Sequence, residues 1–406
     1  MADAPKLQAL TSLRFFAALA IVLHHIQGSL GVDAGFARPV LLEQGVSFFF
    51  VLSGFILTHV HGGLRREDRA RFLWARFARV WPGHVAAIAL VIVVWAWTGS
   101  GPIRSTLPAA LANLGLLHAW FPWPSYYFSL NNVSWTLSVE AFFYASFPIV
   151  AIRIGRRWPF WLALSLAAGL AMTEIAARYP VEASSLDSPT IDSFVNINPL
   201  ARWFEFVVGI CSAVAWRRIS AGLAPGRMSG TAIDCSALVV VALFAYYSAG
   251  IAGSLSQNPA QFLWLARGPV AAPAFALLIA VMASHRGAPS RLLAHPVLVR
   301  LGEISYALYL IHYPILKLAW TKFPDAASGP GLILLFVLLL SVSHLLWQCV
   351  EAPARRAMTR RFPMASSAPS APLFPKAERK TLAACAALSA LSLGILLTMQ
   401  QIMGAG

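Results

Sequence analysis

Arg14, His24 and His25 lie within "LTSLRFFAALAIVLHHIQGSL" (10–30), a stretch otherwise apolar enough to sit in a bilayer. A guanidinium at the bilayer centre costs roughly 3 kcal/mol or more, so it must face protein or water. At about 100° per residue, the eleven steps from Arg14 to His25 close three turns with roughly 20° to spare, over an axial rise of about 16 Å. The two side chains therefore share one helix face, and His24 is turned about 80° away. Arg14 alone could snorkel to the headgroups while the histidines hydrogen-bond at the other interface. Two imidazoles in addition to the arginine favour chemistry, because histidine takes and returns a proton near neutral pH.

Four other segments carry polar groups in apolar surroundings. "NNVSWTLSVEAFFYASFPIV" (131–150) holds Ser134, Trp135, Ser138 and Glu140. A carboxylate near lipid is usually paired or functional, and Glu140 could pair with Arg14 or orient His25. Ser134 and Ser138 share a face while Glu140 points elsewhere, so one helix cannot aim all three inward. "LGEISYALYLIHYPI" (301–315) carries Glu303, Tyr306, Tyr309 and His312; His312 is either a second functional histidine or a hydrogen-bonded core one. "GVSFFFVLSGFILTHVH" (45–61) offers Ser47, Ser53 and Gly54 as a small-residue site for a neighbouring helix or a thin ligand, with His59 and His61 read as interface residues. "ARWFEFVVGI" (201–210) places Arg202 and Glu205 at i and i+3, a pair expected to neutralise itself. In the arginine-rich "RFLWARFARVWP" (71–82), Arg76 and Arg79 can face one side of a helix end. Two guanidinium forks there suit a phosphate-bearing ligand, or simply mark a cytoplasmic loop.

The elements that must position these groups are read from composition. The chain has 406 residues, 58% hydrophobic and only 12% charged, which excludes a soluble domain. Apolar runs long enough to span a core of about 30 Å recur. They fall at 9–30, 41–60, 80–98, 132–152, 158–177, 199–216, 231–250, 268–284, 300–319, 329–349 and 381–401. A weaker run at 107–120 is too short to span and suits an interfacial or re-entrant helix. The expected fold is an all-α polytopic transmembrane helix bundle, with a ten-helix core in 1–356, a Pro/Ser/Ala-rich basic linker at 357–380 and an additional span in 381–406. The 31 Lys and Arg, against 16 Asp and Glu, cluster in alternate loops, which marks membrane topology and not nucleic-acid binding. That alternation puts the N-terminus in the cytoplasm and the C-terminus outside. No cleaved signal peptide is expected, since "MADAPK" lacks a strong basic region. Cys211, Cys235, Cys349 and Cys385 lack metal-type spacing and read as small buried side chains, so no metal is expected.

Five of these segments, in this order, resemble the membrane acyltransferase 3 family: "RFFAALAIVLHH", "FFFVLSGFIL", "RFARVWP", "WTLSVEAFFYASFP" and "ISYALYLIHYPI". The resemblance covers about residues 7–356. It implies an integral membrane O-acyltransferase, in a bacterial inner membrane, moving an acyl group from cytoplasmic acyl-CoA, most often acetyl-CoA, to a hydroxyl on a carbohydrate-type acceptor. It further implies that Arg14 and His25 are the essential first-helix pair and that Arg76 and Arg79 lie near the CoA phosphates. Ser138 and Glu140 match its Ser-Val-Glu element. His24, Ser53, Trp135, Tyr309 and His312 are expected to support the site. Many relatives carry an acid where this chain has Ser47, and some append an SGNH-type hydrolase domain that this chain does not contain. A secondary transporter or flippase is the alternative, although its usual paired halves are not evident here.

Overall fold

The computed structural model describes residues 7–30, 42–99, 106–152, 154–178, 187–220, 227–284 and 287–360. The expected eleventh span, and the linker beyond residue 360, lie outside them. Among the described residues the regular structure is helical. In order, the helices are α1 (Gln8–Leu30), α2 (Gly45–His61), α3 (Arg69–Thr98), α4 (Leu107–Leu114), α5 (Pro124–Tyr127), α6 (Trp135–Val150), α7 (Ile154–Arg178) and α8 (Trp203–Ser220). They continue with α9 (Arg227–Leu255), α10 (Pro259–Arg267), α11 (Ala272–Ala283), α12 (Ala288–Leu293), α13 (Pro296–Lys322), α14 (Gly329–Leu346) and α15 (Ala352–Arg360). Backbone groups in lipid have no water to bond, so helices that satisfy themselves internally are the expected solution.

Each of the first ten apolar runs overlaps one of these helices, with two differences. The run at 268–284 belongs to a broken span, α10 and α11, interrupted at Gly268–Pro269. Pro269 cannot donate to a helical carbonyl, and a Cβ at Gly268 would lie 2.2 Å from a Glu205 carboxylate oxygen. The third span begins at Arg69, well before the apolar run, so Arg76 and Arg79 stand within α3. The weaker run at 107–120 forms the eight-residue α4 and a short 3-10 turn, too short to cross. Among the described residues seven helical stretches are long and apolar enough to span a membrane. Neither α6, α8 nor α13 is among them, and these helices carry Glu140, Glu205 and Glu303. The molecule is an all-α, multi-pass integral membrane protein.

Helix α1 packs most extensively on α13, and α2 on α8. Small residues permit both approaches, as expected where lipid gives no hydrophobic drive between helices. A Cβ at Gly302 of α13 would come 1.9 Å from the Thr11 carbonyl oxygen of α1, and one at Gly54 would come 2.1 Å from the Phe206 carbonyl oxygen of α8. Apolar side chains of α1, α2 and α11, among them Leu10, Val51, Phe55 and Ile279, fill the core between these seams. On the outside, Ile92 and Val93 of α3, Val239 of α9 and Leu334 of α14 are exposed as a lipid-facing surface.

A methyl group at Gly302 must push α1 from α13. Gly302→Ala is therefore expected to cost about 1–3 kcal/mol, as overpacking does. Gly250→Ala, which meets nothing within 4 Å, should not destabilise. Thermal unfolding of the detergent-purified protein would compare them, and matching midpoints would show that the α1–α13 approach is not tight.

Candidate active site

A cavity of about 630 Å³ lies among α1, α2, α3, α6 and α13. Arg14 from α1 and Arg76 and Arg79 from α3 line it, as do Ser53 and His59 from α2, Glu140 and Tyr144 from α6, and Glu303, Tyr306 and Tyr309 from α13. Glu303 pairs with Arg300 at 2.9 Å. The remaining lining carboxylate, Glu140, accepts a short hydrogen bond from the Tyr144 hydroxyl one turn later. The Arg76 guanidinium lies over the Phe72 ring, 5.8 Å from its centroid, and its Nε is buried without a partner. Three guanidinium groups thus line the cavity beside a carboxylate already bonded by a phenol, with Glu351 within electrostatic reach outside the lining. Such a basic cavity selects for an anionic ligand, and planar forks suit phosphate oxygens best.

The histidines lie behind one wall of this cavity. His25 Nδ1 is 2.9 Å from the Ile21 carbonyl oxygen and 3.2 Å from His312 Nε2. His312, fully buried, has its Nδ1 2.6 Å from the Tyr309 carbonyl oxygen. His24 and Tyr313 meet the His25 ring edge-on at 5.3 Å and 5.6 Å between centroids. None of His24, His25 and His312 lines the cavity, whereas Tyr309 does. The Tyr309 hydroxyl donates to the Val133 carbonyl and meets Thr136 Oγ1, both at 2.8 Å. Tyr309 therefore touches both the cavity and the imidazole pair, held from α6 and the turn before it.

Local sequence explains this turn of α13. Pro314 has no N–H, so the Leu310 carbonyl loses its helical donor. Asn131 Nδ2 takes that place at 2.9 Å. Asn131 follows Leu130, whose φ of 56° is the left-handed region that an L side chain rarely enters.

The predicted residues divide clearly. Arg14, Arg76, Arg79, Glu140, Ser53 and Tyr309 converge on the cavity; His25 and His312 pair beside it. Ser138 does not join them. It is buried and accepts from the Ala119 amide at 3.2 Å, fastening the 3-10 turn after α4. Trp135, half-buried at the start of α6, does not line the cavity. Ser134 anchors the same segment, 3.3 Å from both His118 Nε2 and Asn113 Nδ2. Burial pushes His118 down to about 3, so it stays neutral in that role. Arg202 and Glu205 form a buried pair at 2.8 Å, 2% and 0% exposed. Ser47 joins them by accepting from Arg202 Nη2 at 2.7 Å. Among the described residues no three of His, Cys, Asp and Glu converge to hold a metal ion.

Two lining residues, His59 and Tyr144, and one carboxylate near the cavity, Glu351, were not expected. His59, read as an interface residue, lies in the lining, with both ring nitrogens buried and unpartnered. Tyr144 could have been found as the i+4 neighbour of Glu140. Glu351, in the π-helical turn Trp347–Glu351, is within electrostatic reach of Arg79, Arg14 and Arg355. No spacing in the sequence points to it.

A multi-pass helical bundle enclosing a basic cavity and a buried imidazole pair has the layout of an enzyme that works within the membrane. The family model described as an acyltransferase domain matches residues 7–348, and the chain belongs to this acyltransferase 3 family of membrane O-acyltransferases. It is 31% identical to the acyltransferase MdmB of Streptomyces mycarofaciens, over 89% of this chain and 95% of that protein. It is 26% identical to the putative peptidoglycan O-acetyltransferase YrhL of Bacillus subtilis, over 87% of this chain but 55% of that longer protein. With Nodulation protein 10 of Rhizobium leguminosarum the identity is 24%, over 86% and 93%. No solved structure matches the chain.

Ser138 and Glu140 should separate on substitution. Ser138→Ala is expected to cost about 1 kcal/mol of stability, the worth of one neutral hydrogen bond, and to leave turnover nearly unchanged. Glu140→Gln should alter turnover or donor affinity. Thermal unfolding and acyl transfer on the same preparations would check both.

Proposed function

We propose that the protein transfers a short acyl group, acetyl in the first instance, from cytoplasmic acyl-CoA to a hydroxyl of a carbohydrate-type acceptor. The observation that carries this reading is the cavity itself, lined by Arg14, Arg76 and Arg79 and by Tyr309, which contacts His312 and through it His25. The phosphates of a CoA would sit against the arginines, and the thin pantetheine arm would run toward Tyr309. Alternating basic loops support an N-terminus on the cytoplasmic side, which puts the arginine end of α1 toward the CoA pool and His25 toward the other face. The name of one relative, a putative peptidoglycan O-acetyltransferase, supports a glycan as acyl acceptor.

In this mechanism His25 Nε2 takes the proton of the acceptor hydroxyl as its oxygen attacks the thioester carbonyl. The carbon–oxygen bond forms, the carbon–sulfur bond breaks, and the thiolate leaves with the proton returned from His25. Atoms and charge balance without a covalent enzyme intermediate. Glu140 and Tyr144 set the position of the arginines, and the arginines hold the donor.

The test is transfer of labelled acetyl from acetyl-CoA to a cell-envelope glycan fraction by membranes containing the protein. Wild type should label the glycan, and His25→Ala at equal protein level should not, a loss of about 10²-fold or more for removal of a general base. Arg76→Ala and Arg79→Ala should raise the KM for acetyl-CoA while leaving kcat less affected. Equal labelling by wild type and His25→Ala would remove the histidine from the chemistry; movement of a solute with no covalent product would indicate a transporter.

A further inference from the structure

The hydrogen-bond pattern around His25 admits one assignment of protons. A backbone carbonyl can only accept, so His312 Nδ1, 2.6 Å from the Tyr309 carbonyl oxygen, must be the protonated nitrogen of that ring. In a neutral imidazole the other nitrogen is then an acceptor. His312 Nε2 therefore presents a lone pair to His25 Nδ1 at 3.2 Å, and the Ile21 carbonyl presents another at 2.9 Å. Both neighbours of His25 Nδ1 are acceptors, so Nδ1 carries the hydrogen and Nε2 keeps its lone pair.

We infer that His312 is a positioning residue, which fixes His25 in the Nδ1–H tautomer and orients its Nε2 toward the acceptor hydroxyl. This rests on the reading of His25 as general base. The inference adds the source of its tautomer and aim, a function that a carboxylate fills in many histidine-dependent sites and that no carboxylate fills here among the described residues. When His25 becomes an imidazolium, its Nδ1–H keeps both acceptors, so the charged form is bonded as the neutral form was. The support extends back through the fold. His312 is held by the Tyr309 carbonyl, and the Tyr309 ring is held by Val133 and Thr136. The carbonyl that Pro314 leaves without a donor is held by Asn131. A buried imidazole with its own ring donor committed to the backbone cannot rotate to offer the wrong nitrogen without breaking that bond.

The experiment uses the full-length protein in detergent or nanodiscs, labelled with ¹⁵N-histidine. The chain has ten histidines, and the His25 signal is identified by its loss in His25→Ala. In wild type, His25 is expected to show protonated Nδ1 and bare Nε2. In turnover, His312→Ala is expected to lower kcat by roughly tenfold or more with the KM for acetyl-CoA unchanged. His312→Gln, whose carbonyl oxygen can accept from His25 Nδ1, is expected to restore most of the loss. A wild-type His25 protonated at Nε2 would overturn the inference, and this outcome needs no variant to fold. So would His312→Ala turning over like wild type, or His312→Gln failing as badly as His312→Ala while both still bind labelled CoA. Full turnover by His25→Ala would instead defeat the general-base reading beneath it, whatever the His312 variants do.

Discussion

Inside a bilayer a polar group has no water to fall back on, and each one that is buried must find its partner within the protein. Much of the site follows from that constraint. Pro314 takes one donor away from α13, and Asn131 supplies another from outside the helix. Asn131 can do so because Leu130 accepts a left-handed backbone, a strain of about 1–2 kcal/mol that the surrounding bonds must outweigh. The same short segment supplies the Val133 carbonyl to Tyr309, and Tyr309 in turn fixes His312. Removing the proline-free regularity of one helix thus links two distant parts of the chain into a single support for two imidazoles.

The arginines show the other side of that constraint. Arg202 is enclosed by Glu205, Ser47 and Asn196, a nearly complete set of partners in which the charge is spent on holding α2 against α8. Replacing one member of such a pair leaves an unpaired charge, so its role is structural specificity more than net stability. Arg14, Arg76 and Arg79 are arranged differently: among the described residues no ion pair within contact distance is formed by any of them, Glu140 is already bonded by Tyr144, and Glu351 acts on Arg14 and Arg79 only through space. A cluster of like charges left short of counter-ions is unfavourable by itself and becomes favourable when an anion enters. The two groups are chemically alike in sequence, and their surroundings separate them.

Much of this arrangement is legible from sequence because helical geometry is local. Arg14 and His25 share a face through spacing alone, and Arg76 and Arg79 reach one cavity because they are three residues apart on one helix. The separation of Ser138 from Glu140 follows from the same arithmetic; what does not follow is which of the two faces the cavity. The pairing of His25 with His312 joins residues 287 positions apart and depends on how closely α1 approaches α13 at Gly302. His59 and Glu351 escape notice for a related reason. Each sits near the end of an apolar stretch, where a polar residue is ordinary, and only the packing of other helices turns it inward.

Tyr309 is the residue at which the two halves of the site meet. Its side chain lines the cavity, and its backbone carbonyl sets the ring orientation of His312. A thioester is open to hydrolysis, and an imidazole able to activate a hydroxyl can equally activate water. If the cavity takes an acyl-CoA, as proposed, the Tyr309 side chain must yield before the acyl group can meet the imidazole pair. The bonds of the Tyr309 hydroxyl fit that requirement, since two neutral hydrogen bonds of about 1 kcal/mol each are strong enough to hold a ring and weak enough to be exchanged for contacts with a bound thioester. The carbonyl bond to His312 lies on the backbone and need not break when the side chain moves. On the proposed reading, His25 can therefore keep its orientation when the Tyr309 side chain moves.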